Sequence, residues 1–187
     1  MTKTLPAPKP GALKRLALGF AASVALLLCG PVLAEARDLT LGMTIEPTGL
    51  DPTIAAPVAI GQVTWQNVFE GLVTIDRDGK IQPQLAKSWE ISPDGLTYTF
   101  HLEEGVKFHD GELFDSSVAK ASLERARGTD SVNPQKRFFA AIDTIETPDP
   151  ATLVLKLKEP AGSLLYWLGW PSSVILGTKS AATAKTT

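Results

Sequence analysis

Two histidines, His101 and His109, are the only imidazoles in 187 residues. They stand eight residues apart, at the end of an alternating stretch and inside a glycine-punctuated one. A metal site would need further ligands at turn or helix spacing, and a carboxylate behind each imidazole. Neither occurs, so no metal ligand set is predicted; His101 falls on the polar face of a strand and His109 within a turn. Glu103 and Glu104 form a carboxylate pair, but adjacent residues of an extended segment point apart, so they read as solvated and not as an acid/base couple. Asp110 and Asp115 flank a loop and suit turn and cap duties. There is no Gly-x-Ser-x-Gly elbow and no phosphate-cradling glycine-rich loop leading into a helix. The expectation is therefore no catalytic residue, no metal and no cofactor. Tyr166, Trp167 and Trp170 are the sharpest aromatic cluster. They could wall a ligand site; Leu164, Leu165 and Leu168 around them favour the core of a small lobe instead.

These groups sit in a chain whose first 36 residues read as a secretory leader. Lys3, Lys9, Lys14 and Arg15 make a basic front, and Leu16 to Leu28 is an apolar run of 13 residues, the length of a signal core. Ala34-Glu35-Ala36 offers small residues at both positions a signal peptidase reads, so cleavage is expected before Arg37, with Val32-Leu33-Ala34 as a second possible site. The alternative is an anchor, because Leu16 to Ala34 carries no charge, but Gly30-Pro31 interrupts that run. Cys29 is the single cysteine and follows Leu28, not the small residue a lipid attachment site requires.

Removing the leader takes those four cations and Glu35 from the 18 basic and 20 acidic residues of the chain, leaving a net charge of −5. That mild acidity argues against nucleic acid as a partner. The remaining 151 residues, with tryptophans 65, 89, 167 and 170 and seven phenylalanines, suffice for one packed domain.

The elements follow from period and punctuation. Leu39, Leu41, Met43 and Ile45 alternate with polar or small residues and predict a strand. Pro47, Pro52 and Pro57 then make Glu46 to Val58 an extended loop. Ile60, Val63, Asn67 and Val68, flanked by Trp65, Phe69 and Leu72, suit a short helix stopped by Gly71. Leu72 to Ile75 is a strand turned by Asp78-Gly79 into Lys80-Ile81. Trp89-Glu90-Ile91 and Leu96 to Leu102 form a hairpin about Ser92-Pro93-Asp94-Gly95. Asp115 caps a helix over Ser116 to Arg127, ended by Gly128. Thr129 to Arg137 is a loop. Ile142 to Thr147 and Thr152 to Leu157 are strands around a Pro148-Asp149-Pro150 turn. Ser163 to Leu168 is a short helix, Val174-Ile175-Leu176 a last strand, and Ser180 to Thr187 an unstructured tail.

The run Lys107-Phe108-His109-Asp110-Gly111, followed by Phe114-Asp115 and a helix carrying Leu123-Glu124-Arg125, is a distinctive string. Gly49-Leu50-Asp51-Pro52, Asn67-Val68-Phe69-Glu70-Gly71-Leu72, Pro83-Gln84-Leu85-Ala86-Lys87-Ser88-Trp89, Ser92-Pro93-Asp94-Gly95-Leu96-Thr97-Tyr98, Thr147-Pro148-Asp149-Pro150-Ala151-Thr152 and Leu157-Lys158-Glu159-Pro160 accompany it in order. Together they resemble the large extracytoplasmic solute-binding proteins of ABC importers, family 5, which capture dipeptides, oligopeptides and, in some branches, nickel. The resemblance implies an α/β (mixed α+β) fold, the N-terminal part of a two-lobed, type II periplasmic binding protein with an extra subdomain. Residues 1–36 would be its signal peptide, and residues 37–187 the first part of the main lobe plus the small extra subdomain, stopping short of the second lobe. It further implies a periplasmic location, a peptide or other small solute as ligand, and ABC permease subunits of the inner membrane as partners. Thr44, Ile45, Glu46, Pro47 and Thr48 match the family segment that reaches the ligand. A lobe reused as a sensory or interaction module is the rival reading, and a secreted hydrolase a third. If half of the cleft is missing, the isolated chain is expected to associate and to show no measurable peptide affinity.

Overall fold

The structure, a computed structural model, describes residue 40 and residues 42–47, 49–54 and 58–183. The expected leader with Cys29, the strand residues Leu39 and Leu41, and Thr48 lie outside the described residues. The chain divides into two units, Met1–Gly42 and Met43–Thr187, and the second carries the elements below.

The centre of this unit is a sheet built from two hairpins. A first, separate ribbon pairs β1 (Val73–Ile75) with β2 (Ile81–Pro83). Asp76 closes it by accepting the amides of Asp78 and Lys80, while Gly79 takes a φ of 78°. Next, β3 (Ala86–Ile91) pairs with β4 (Thr97–Leu102), and β5 (Ile142–Asp149) with β6 (Thr152–Leu157). The four strands run antiparallel in the order β3-β4-β6-β5, because β4 and β6 pair centrally. Gly95, at φ 70°, turns the β3–β4 hairpin, with the Asp94 carboxylate accepting the Leu96 amide. Tyr98, Phe100 and Leu102 of β4 and Leu153, Leu155 and Leu157 of β6 all face one side and are buried. Period-two alternation puts the intervening threonines, His101 and Lys156 on the other side.

Against the buried face packs α2 (Ser116–Arg127), which presents Val118, Ala119, Ser122, Leu123 and Ala126 to the core. It also packs against α4 (Thr178–Thr183) and a 3-10 turn at Lys136–Phe139; α1 (Val58–Thr64), α3 (Leu164–Leu168) and a second 3-10 turn at Pro171–Ser173 complete the unit. The N-terminus of α2 is tied to the β5–β6 turn: the Ser116 amide donates to the Pro150 carbonyl and its hydroxyl to the Asp149 carbonyl.

Several expectations are corrected. No strand forms over Met43–Ile45: Thr44 and Ile45 sit in a bend, and Met43 and Ile45 are 43% and 60% exposed. An alternating pattern makes a strand only when a neighbour completes its ladder, and none of the described strands lies beside it. The first helix is shifted back, starting at Val58 and ending at Thr64, where the Thr64 hydroxyl bonds back to the Ile60 carbonyl. Gln66 then takes a φ of 62°, and the chain turns tightly to Phe69. Strand β5 continues through Pro148 to Asp149, so the turn is Pro150-Ala151. Proline is tolerated because β5 is an edge strand with an irregular register between Glu146 and Asp149. Gly128 ends α2 with an extended ψ of 158°, not in the left-handed region. Val174, Ile175 and Leu176 are buried but join no sheet; the Ile175 amide reaches the Glu70 carbonyl, and Ser122 bridges Val174 and Leu176. The start of the expected tail is α4.

Candidate functional site

The expected ligand segment lies on the surface. Thr44, Ile45 and Glu46 are exposed and Pro47 is half-buried. Among the described residues, no hydrogen bond engages the backbone of Met43 to Pro47. The turn that follows is held firmly. Asp51 accepts the amide and the hydroxyl of Thr53 on one carboxylate oxygen, at 2.8 and 2.6 Å. Arg125, from the last turn of α2, donates to the Thr53 hydroxyl at 2.8 Å and lies 3.9 Å from the Asp51 carboxylate. Asp51 and Thr53 thus tie the start of this unit to α2.

A second feature converges from three segments that are remote in sequence. Helix α1 supplies Val58, Gly61 and Gln62; Trp65 follows it; the loop before the first 3-10 turn supplies Pro134 and Gln135; and Trp170, Pro171 and Ser172 close the far side. They line a cavity of about 350 Å³ whose walls are mainly carbon. Asn133 positions one wall, since its buried amide donates to the Ser172 carbonyl at 2.8 Å.

Trp170 belongs to a larger aromatic cluster. Phe138 stacks on Trp167 at 3.5 Å and 13°, Trp167 lies 5.2 Å from Trp170, and Tyr166 stands edge-on to Trp167 at 5.4 Å. The Arg137 guanidinium covers the Phe138 ring at 4.6 Å. Leu164, Leu165 and Leu168 are the core residues here; the rings are half-buried at its margin, and Tyr166 is 41% exposed. The expectation that the rings themselves form the core is therefore corrected. A helix turn that places three leucines inward must place the intervening residues outward.

His109 and His101 do not converge. His109 is exposed beside a second, more polar cavity of about 390 Å³ that also takes in Glu70, Lys107 and Asp110 over a floor of Phe69, Phe108 and Phe114. His101 lies on the outer sheet face, with its Nε2 3.7 Å from the Glu90 carboxylate. No cluster of three or more His, Cys, Asp or Glu with metal-binding geometry occurs among the described residues. The displaced ionisations are structural. The Lys80 amide and then the Gln82 side chain hold the Asp76 carboxyl below its usual value. The Ser92 hydroxyl and then the Leu96 amide do the same for Asp94. Burial pushes the Tyr98 hydroxyl up. For Asp115, burial opposes the charge, but the Ser117 hydroxyl and the Val118 and Ser117 amides outweigh it and keep the carboxyl low.

Residues 80–187 match the sequence model of the bacterial extracellular solute-binding proteins, family 5, middle region. This is more than half of the chain. The chain belongs to this family. The glutathione-binding protein GsiB of Salmonella paratyphi A is 34% identical over 164 residues, which cover 88% of this chain and 31% of that relative. Among solved structures, AgaA of A. tumefaciens R10 in complex with agropinic acid is 39% identical with a TM-score of 0.68, over 73% of this chain and 28% of that one. An ABC transporter substrate-binding protein from Sinorhizobium meliloti is 31% identical with a TM-score of 0.62, over 71% and 27%. The chain therefore spans under a third of the length of these family members.

Within this family 5 framework, the sequence marked Gly49-Leu50-Asp51-Pro52 as a local motif, but not the turn that Asp51 closes on Thr53. It did not find the cavity between Trp65 and Trp170. Trp65 was legible only as part of a helix face, and Asn133-Pro134 only as a loop. Their approach depends on where Trp170 lands, which no local spacing encodes.

Proposed function

We propose that this chain is the substrate-binding component of an ABC-type importer, capturing peptides or related small solutes in the periplasm and delivering them to permease subunits of the inner membrane. The observation that carries this reading is the 34% identity, over 88% of the chain, to a protein named for binding glutathione. In this reading the protein recognises its solute and does not turn it over.

Residues 1–36 act as a cleavable signal peptide in this proposal, with Arg37 the first residue of the exported form. Thr44, Ile45, Glu46, Pro47 and Thr48 contact the solute. Support comes from the exposed backbone of Met43 to Glu46, which no hydrogen bond engages among the described residues. Unpaired, exposed main-chain groups are what a peptide can hydrogen-bond.

Uptake tests the reading. Cells lacking the gene should lose accumulation of labelled glutathione or of short peptides, and the gene returned on a plasmid should restore it. Unchanged uptake of every solute tried, or hydrolysis of the solute by pure protein, would defeat it. Cell fractionation with N-terminal sequencing checks the leader: the expected first residue is Arg37, and an intact Met1 in the periplasmic fraction would rule cleavage out.

A further inference from the structure

The cavity between α1 and the Pro171–Ser173 turn has a chemistry that narrows the ligand. Trp65 and Trp170 line it, together with Val58 and Pro171. None of the described residues that line it is charged; its polar groups are Gln62, Gln135 and Ser172. Its volume of about 350 Å³ is more than twice the roughly 150 Å³ that accommodates a benzene in a protein interior, and falls within the ~300–1,000 Å³ of small-molecule sites.

From this geometry we infer that the cavity is a subsite for an uncharged apolar or aromatic group of the solute, gripped between the Trp65 and Trp170 rings. This inference rests on the solute-binding reading above and names the substrate class: solutes bearing at least one neutral apolar side group. An ionised group entering the same space would lose its hydration against carbon walls without gaining a counter-charge. A neutral ring gains both area burial and edge or face contact with indole. Gln62 and Gln135 can satisfy a single amide or hydroxyl at the mouth without favouring either sign of charge. One wall is tied down, since the Asn133 amide donates to the Ser172 carbonyl, and the segment carrying Trp170 is braced beside it by the Ser173 hydroxyl donating to the Trp167 carbonyl at 2.6 Å.

Fragment binding to the full chain tests the subsite without requiring capture of a complete solute. Fluorine NMR would follow 4-fluorobenzyl alcohol as the neutral probe and 4-fluorobenzylamine, cationic at neutral pH, as its charged counterpart. The neutral probe should bind saturably, and the cation about tenfold or more weakly. Val58 is 70% exposed, so Val58→Arg leaves the core alone while carrying charge and bulk to the rim; it should weaken the neutral probe about tenfold or more. Leu113→Arg, at an exposed site away from the cavity, should leave probe binding unchanged. Binding that is absent, or equal for both probes, or insensitive to Val58→Arg, overturns the subsite. Gene-dependent uptake that ignores the apolarity of the peptide would overturn it too while leaving the importer reading intact; loss of gene dependence with intact fragment binding would do the reverse.

Discussion

Asp115 shows how one side chain can set both an element and its pH response. Its carboxylate accepts the Ser117 and Val118 amides, two of the donors that a helix start leaves without partners. Asp115→Ala should lower unfolding stability by about 1 kcal/mol, and Asp115→Asn by much less. Because the folded carboxyl lies below its ordinary value, its stabilisation is complete above the unfolded pKa and disappears as pH falls through the folded one. Urea titrations at neutral pH and at about pH 2 should therefore show the Asp115→Ala deficit shrinking in acid. Duties of this kind were readable from the sequence because donor and acceptor lie within three residues. Asp94 and Gly95 were readable for the same reason. The partner of Arg125 was not: nothing near position 125 announces Thr53.

At the scale of elements, packing is close where the end of α3 meets β1. A Cβ added to Gly169 would lie 2.8 Å from Cγ1 of Ile75. Gly169→Ala should cost about 1–3 kcal/mol as the ribbon is pushed away, visible as a lower urea midpoint; a variant as stable as the parent would show that the ribbon yields freely. Within the core, Phe100 is fully buried on β4, and Phe100→Ala should cost about 3–5 kcal/mol. Strands β4 and β6 were legible because one face is buried and the other wet, which prints a period of two on the sequence. The apolar triplet at Val174 was read as a strand because a continuous buried run looks alike whether its hydrogen bonds go to a strand or, as here, to a loop carbonyl and a serine. The strand expected at Met43 failed for the complementary reason: alternation declares which face can be buried and says nothing about whether a neighbour is present.

Over the whole molecule, the sheet leaves β3 and β5 as edges. Ile45, Leu50, Val58 and Val68 are among the large apolar side chains held in solvent. Open edges and apolar surface together favour contact between copies. Sedimentation of the purified chain should show mass rising with concentration; a single monomer mass across the accessible range would contradict this. The pairing of distant segments also has a kinetic side. The two hairpins close over turns of a few residues, whereas the Arg125–Thr53 bond spans 72 positions, and ordering so long an intervening chain carries an entropic penalty that only a largely assembled core can offset. The clasp should thus be a latecomer on the refolding route and an early casualty of denaturation. In stopped-flow experiments Arg125→Ala would then hasten unfolding while leaving the refolding arm almost untouched, making the start of this unit the place where the native molecule first comes undone.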